Sequence, residues 1–495
     1  MRTPPELNAG APARVSPLMI SPRLLLALVL AGGTALHAQA PDTLRLTLVQ
    51  AVDRMLKTSD EARVATAQVD VADAQVTSSR AAGMPQLRLA STYQQQVDNA
   101  RALIVGNVFG QSYTYNTNLQ LTQSFFQGGR IVGATQVAAR AERAARLTRD
   151  ETHIGLAVDA QRIYLGVALL ARLAEIQRRN LEIADERLAQ VEQLERSGRA
   201  SRYDVLRARV ERQNLEPTSL QAETNYVLGE LELKRLLQIP VAQPVALSTE
   251  LSADTVQQLA AAALADASTP GVRPNVLAAE LTASARDAAV RVARADLLPS
   301  MSSSLTFGYL ALPAFNGLPT HRGTSKYLNC DPIPADTIPP TSSRPCQDNG
   351  WFPDLTFSVQ FTWPLFDGLR AKGAIDLAQA QARVADLQVR QTREAAAIDV
   401  ERARSELVRA QATFSARAAN VREATEAFDL ATMRFGRGIG TQLEVSDAQL
   451  ALLIARSTEA RATFDLYLAV ADFARVRARP IPLPDGGTVA IGTTR

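Results

Sequence analysis

The stretch FGRGIGTQLEV, Phe435 to Val445, has the alternating glycines of a phosphate-binding loop, Gly436, Gly438 and Gly440, ahead of a helical pattern. A nucleotide cradle needs a strand before the loop and a helix opening behind it. What precedes Phe435 is a helix pattern instead. Val421, Ala424, Phe428, Ala431 and Phe435 are spaced 3, 4, 3, 4, which is a heptad seam. No Lys-Ser or Lys-Thr pair follows the glycines. The stretch is expected to be a tight turn between two helices, where glycine supplies a positive φ.

Working outward, the chain repeats itself. A shift of 240 positions lays SGRASRYDVLRARV (Ser197 to Val210) on RGIGTQLEVSDAQL (Arg437 to Leu450). Gly198 meets Gly438, Asp204 meets Glu444 and Val205 meets Val445. The same shift lays LTQSFFQGGRIVGA (Leu121 to Ala134) on FTWPLFDGLRAKGA (Phe361 to Ala374). Nearer the N-terminus the shift is 214, and DAQVTSSRAAGMP, ending at Pro85, faces DAAVRVARADLLP, ending at Pro299. The difference of 26 is an insertion in the second copy, within the Pro-rich segment Pro313 to Pro353. The first copy carries its own seam, Leu181, Ala184, Leu188 and Val191.

About 70 residues without proline separate Gly128 from Gly198, and Gly368 from Gly438. At 1.5 Å per residue each helix runs to roughly 105 Å. The return legs, Val205 to Gln238 and Val445 to Arg479, are half as long. Pro217 is expected to kink or split the first of them. Helices over about Leu48 to Gly83 and Val276 to Leu297 lead back towards Pro85 and Pro299. A return leg and one of these, placed end to end, nearly match one long helix.

Between the helices the period changes from 3.6 to 2. Tyr113, Tyr115, Leu119, Leu121 and Phe125 alternate with Thr114, Asn116, Asn118, Gln120 and Thr122. Leu355, Phe357, Val359, Phe361 and Trp363 alternate with Thr356, Ser358, Gln360 and Thr362. Leu305, Phe307 and Tyr309 do the same, and Leu87, Leu89, Tyr93 and Val97 do so more weakly. Alternation of this length marks transmembrane β-strands. Phe125, Phe126, Trp363 and Phe366 read as one interfacial girdle. Four strands cannot close a barrel, and an open edge cannot stand in lipid. The barrel is therefore expected to be shared between chains, at least three if it is to leave a channel.

The remaining composition is restrictive. With 53 Lys+Arg against 50 Asp+Glu the net charge is +3, which gives no case for nucleic acid as a partner. MISPRLLLALVLAGGTALHAQA, Met19 to Ala40, has the form of a secretory signal. Met19 is a possible start, and cleavage falls after Ala40 or Ala38. No Cys lies near that site, so no lipid anchor is expected there. No other stretch of about 18 apolar residues stands out as a membrane helix. Cys330 and Cys346 have fifteen residues between them. In an exported chain they read as a disulfide, within an outer loop that tolerates deletion. His153 and His321 lie far apart, so no metal site is expected and no cofactor is implied. An enzyme reading has no catalytic constellation behind it. A structural periplasmic coiled-coil rod would not need the four amphipathic strands.

These marks resemble the outer-membrane efflux family, the TolC-like tunnel proteins, over about Leu44 to Arg479. FFQGGR and WPLFDGLR stand at the strand-to-helix junctions, and SGRASRYDVLRA and GRGIGTQLEVSDA at the helix turns. The resemblance implies a homotrimer: a 12-stranded barrel in the outer membrane, four strands per chain, above a long periplasmic α-helical barrel. It implies docking on a periplasmic adaptor that joins the duct to an inner-membrane pump, for drug efflux or type I secretion. By resemblance Gly198, Asp204, Val205, Gly438, Glu444 and Val445 fall on the adaptor-facing tips, and Glu444 and Asp447 on the gate. The basic residue that helps hold the gate in this family is replaced by Gly440, with Arg437 or Arg202 as substitutes. Ser201 and Thr441 are expected to cap the return helices.

The expected organisation is a signal over 1–40, a periplasmic helix over 41–85, two strands over 86–127 and a helical hairpin over 128–239. An equatorial linker follows over 240–274. The second copy has its helix over 275–299, strands over 300–366 with an extracellular loop 312–353, a hairpin over 367–479 and a tail over 480–495.

Overall fold

The computed structural model describes residues 43–98, 113–266, 270–311, 317–323, 350–484 and 487–489. The signal segment and both cysteines, Cys330 and Cys346, lie outside the described residues.

In chain order the elements are β1 (Leu44–Leu46), α1 (Leu48–Thr58), α2 (Asp60–Ala81), β2 (Gln86–Gln95), β3 (Tyr113–Gln127), α3 (Arg130–Arg196) and α4 (Arg202–Leu236). There follow β4 (Val245–Leu247), α5 (Ala253–Ala265), α6 (Pro274–Arg294) with a 3-10 turn to Leu297, β5 (Ser300–Ala311), β6 (Trp351–Thr362), α7 (Arg370–Gly436), α8 (Gln442–Val476), and the short β7 (Ile481–Pro482) and β8 (Thr488–Val489). The two long helices have 67 residues each and their return helices 35 each, at an offset of 240 in every boundary. At 1.5 Å per residue the long helices measure about 100 Å.

α3 packs along α4 and α2 on one side and α6 and α8 on the other, while α7 packs on α8 and α6. Arg54 of α1 donates to the carbonyl of Leu237 at 2.7 Å, just past α4, so α1 and α2 continue the line of α4. In the second half Gly271 N–H donates to the carbonyl of Arg477 at 2.9 Å, so α6 continues the line of α8. The join is less simple in the first half, because Ser59 ends α1 and caps α2 in one step.

The core sits where these helices meet, midway along their length. Leu48, Val52, Tyr164, Leu165, Leu233, Leu407, Leu466, Tyr467 and Ile481 are buried there. The segment expected as a linker is structured. β4 pairs in parallel with β1, and α5 buries Val256 and Ala260 in the same core. One run within α3 is long and apolar enough to cross a membrane, contrary to the expectation that none remained; half of it is buried inside the protein. Its composition belongs to this core.

Tyr164 ties the core to the small β1–β4 sheet. Its hydroxyl donates to the Leu46 carbonyl at 2.6 Å and accepts from Thr249 N–H at 3.1 Å. Tyr164→Phe keeps the ring but takes the hydroxyl from Thr249 N–H, while the Leu46 carbonyl keeps its bond from Ser248 N–H at 3.1 Å, a loss of about 1 kcal/mol. Thermal unfolding of the purified protein should show a lowered midpoint. An unchanged midpoint would mean that water replaces the hydroxyl.

Pro217 does not split α4, which runs unbroken from Arg202 to Leu236. The proline lies on an exposed face. It removes one N–H bond, while α3 supports the helix along its length.

The four main strands form one antiparallel sheet in the order β2-β3-β5-β6. β6 begins at Trp351, so Trp351, Phe352 and Pro353 belong to the sheet and not to the loop expected over 312–353. They pair with Ala311, Leu310 and Tyr309. Beside Trp351 the chain also bridges to residues 321–323: Trp351 N–H donates to the His321 carbonyl and Gly323 N–H to the Trp351 carbonyl. The parity of β3 changes at a bulge between Ser124 and Phe126. Strict alternation would place neighbouring Phe125 and Phe126 on opposite faces. The extra residue puts Phe126 in register with Met301, which faces Phe361.

Candidate functional site

Two features of the fold have no use inside one chain: the sheet's bare edges and the two helix turns. Among the described residues, the edge strands β2 and β6 each have one side without a partner strand, apart from the bridge that residues 321–323 make to Trp351 at the start of β6. The apolar face between them is open, with Leu89 at 70%, Phe357 at 68% and Phe361 at 64% exposure. The girdle residues Phe125, Phe126, Trp363 and Phe366 are exposed as well. Trp363 is anchored, its indole donating to the Leu297 carbonyl at 3.3 Å.

At the far end of the long helices each turn is built the same way. Gly198 has φ +73° and Gly438 φ +77°. Arg199 N–H donates to the Leu194 carbonyl at 2.8 Å, and Ile439 N–H to the Arg434 carbonyl at 3.1 Å. These six-to-one bonds close the helix ends around a left-handed residue. The return helices start on the expected caps. Ser201 accepts from Asp204 N–H, and the Asp204 carboxylate accepts from Ser201 N–H at 3.0 Å, a complete capping box. Thr441 accepts from Glu444 N–H at 3.3 Å. Asp204 and Glu444 therefore sit at positive helix ends, which favour a carboxylate. Val205 and Val445, one residue on, are buried at 1% and hold the two legs together.

Of the acids expected at the gate, Glu444 reaches Arg434 across the turn at 3.8 Å. Asp447 is exposed and has no partner within the chain among the described residues. Arg202 is occupied with Glu195 at 3.6 Å, and Arg437 is exposed. Arg434, which the sequence reading passed over, is the basic side chain that pairs with Glu444 within one chain.

Above the turns the two hairpins are joined by polar groups also missed from sequence. Gln449 of α8 donates to Asn180 Oδ1 of α3 at 2.7 Å, both buried. Ser446 of α8 donates to Glu211 of α4 at 2.7 Å. Arg187 of α3 is buried and lies over the Phe428 ring of α7, 5.9 Å from its centre. Burial pushes the Arg187 guanidinium down, and Glu211 draws it back up. Asn180 and Arg187 are seven apart, as are Gln442 and Gln449, so a polar heptad position was the available signal.

The open grooves at mid-length repeat at the same offset. One of about 960 Å³ is lined by Asp399, Arg402, Arg409, Asp472 and Arg475. The other holds Asp159, Arg162 and Arg235. Their charges largely pair, Asp472 with Arg475 at 2.8 Å and Glu406 with Arg409. Among the described residues no group of three His, Cys, Asp or Glu side chains could hold a metal ion.

Bare sheet edges above paired helical hairpins are a membrane-channel geometry. Comparison with known families decides it: the outer membrane efflux protein family matches residues 51–237 and 271–476. The chain belongs to that family. It is a family of transport channels, and it places this efflux protein in the outer membrane, reaching into the periplasm. A curated relative is the pyoverdine export outer membrane protein OpmQ of Pseudomonas putida, 26% identical over 352 residues, 71% of this chain and 67% of the relative. Solved structures share the fold. A membrane protein from Pseudomonas aeruginosa matches with TM-score 0.67 and 21% identity, covering 87% of this chain and 92% of that one. The outer membrane protein VceC from Vibrio cholerae matches with TM-score 0.65 and 19% identity, covering 87% and 95%.

Proposed function

We propose that three copies of this efflux protein close one 12-stranded barrel and form the exit duct of a tripartite efflux or type I secretion system. The observation that carries this is the pair of bare edges, β2 and β6, beside an exposed apolar face. Each unpaired N–H or C=O in lipid costs several kcal/mol, so the edges must pair with other copies. Three copies give 12 strands and a lumen, where two would give a filled barrel of eight. Light scattering of the protein in mild detergent tests this. A mass of three chains is expected, and a stable monomer with intact β signal overturns it.

The helix turns are the docking tips for a periplasmic adaptor, through Gly198, Asp204, Val205, Gly438, Glu444 and Val445, and the adaptor links the duct to an inner-membrane pump. Threefold symmetry brings Glu444 and Asp447, three apart on one face of α8, into a ring of carboxylates that attracts cations. Glu444→Ala/Asp447→Ala channels in planar bilayers should lose cation preference at least about twofold, the scale of a few removed wall charges. Wild-type conductance and selectivity would leave these acids as helix-end residues. OpmQ's named cargo makes pyoverdine the first substrate to assay.

A further inference from the structure

The four strands carry two charged side chains, Arg88 on β2 and Asp354 on β6. Both stand on the polar face. Arg88 is opposite Gln120, which is opposite Thr306, which is opposite Thr356. Asp354 is opposite Gly308, itself opposite Asn118. Most other positions of this face are amides and hydroxyls, with Ala90 beside Arg88 and with Leu310 and Phe352 at the rim beside Asp354. Asp354 accepts a long bond from Thr356 at 3.4 Å. Arg88 is exposed and has no partner within the chain among the described residues.

The two charges also lie at opposite ends of the sheet. Arg88 is the third residue of β2, next to the helical end. Asp354 is the fourth residue of β6, next to the opposite rim. β2 and β6 are the strands that meet when copies join. With strand ends matched in antiparallel pairing, Arg88 falls beside the last residues of β6. The neighbour's Asp354 is then about six residues away, or roughly 20 Å along the strand. Closure therefore leaves the guanidinium without a carboxylate.

We propose that Arg88 biases the barrel segment of the duct towards anions, in series with and opposing the carboxylates at the turns: three copies form a basic ring at the helical end of the lumen, favouring anionic solutes such as carboxylates. This rests on the reading that three copies close the barrel. Twelve tilted strands spaced about 4.8 Å apart give a backbone radius of about 12 Å. The long Arg88 side chain reaches inward from that wall. The lumen axis then lies within about one Debye length, 8 Å at physiological ionic strength. A low-dielectric wall focuses the field further. An arginine on a sheet edge commonly serves to repel other strands, but here the edge has to pair.

The test is the reversal potential of purified channels in planar bilayers under a potassium chloride gradient. Arg88→Gln should raise the potassium-to-chloride permeability ratio about threefold at 0.1 M salt, and by less at 1 M, where the Debye length is about 3 Å. Asp354→Asn should move the ratio the other way. Arg88→Cys should behave like Arg88→Gln and regain the wild-type ratio after a cationic thiol reagent, not after a neutral one, with treated wild type as the control. If Arg88→Gln runs as a trimer by light scattering and keeps the wild-type ratio at both salt concentrations, the ring does not act. If wild type itself is no trimer, the shared barrel fails first, and the ring with it.

Discussion

Gly438→Val is expected to abolish export and, if the turns are the proposed docking tips, adaptor crosslinking, while the protein should still reach the outer membrane with wild-type mass by light scattering. Gly438 holds φ +77°, and a Cβ built there meets no atom within 4 Å. The penalty is therefore backbone strain alone, about 1–2 kcal/mol for an ordinary residue and more for a β-branched one. The turn relieves it by giving up bonds from Gly438 N–H to the Phe435 carbonyl at 2.9 Å and from Ile439 N–H to the Arg434 carbonyl. That moves Thr441, Glu444 and Val445 together, because the cap and the buried valine follow the turn. Gly438→Asn should be mildest, since Asn tolerates the left-handed region. Gly438→Ala should fall between the two, and Gly436→Ala, inside α7, should be silent. Export and crosslinking yield, measured across this series, should fall in the order Asn, Ala, Val. Wild-type values for Gly438→Val in both assays would place the docking tip elsewhere in the chain.

Arg273→Ala is expected to lower stability more than any change at the turns. Arg273 is 8% exposed and spans the gap between the two long helices. It donates to Glu151 of α3 at 2.7 Å and to Asp399 of α7 at 3.0 Å. Removing it leaves two carboxylates facing each other beside the core. Breaking a fully buried pair costs about 3–5 kcal/mol. The Asp399 side chain is 41% exposed and Glu151 22%, so about 2–3 kcal/mol is expected here after solvent screening. The thermal midpoint of the purified protein should drop, and partial recovery in Arg273→Ala/Asp399→Asn would assign the loss to the stranded charges. A midpoint equal to wild type would show that water already screens both acids.

How much was legible from sequence follows the range of the interactions involved. Ser201 and Thr441 were readable as caps because a cap bonds three residues away. Gly198 and Gly438 were readable because a left-handed turn excludes side chains locally. Strand faces were readable from a period of two. Where long-range packing decides, the sequence was a poorer guide. Pro217 reads as a break, yet α3 lying alongside keeps α4 whole. Trp351 to Pro353 read as loop, yet β5 supplies partners for them. Arg202 and Arg437 were weighed as gate cations, yet the turn presents Arg434 to Glu444.

By itself, then, the sequence determined the helices, the turns, the strand faces and the doubling at 240 residues, because periodicity and turn chemistry are local. Only the tertiary structure decided that the segment after Pro240 folds as β4 and α5 into the common core. It also brought Asn180 to Gln449 and Glu211 to Ser446, and shifted Phe126 across a bulge onto the apolar face. Those outcomes depend on which residue of a distant element arrives opposite. Hydrogen-bond register between strands and packing phase between helices set that, and neither is written in any one segment.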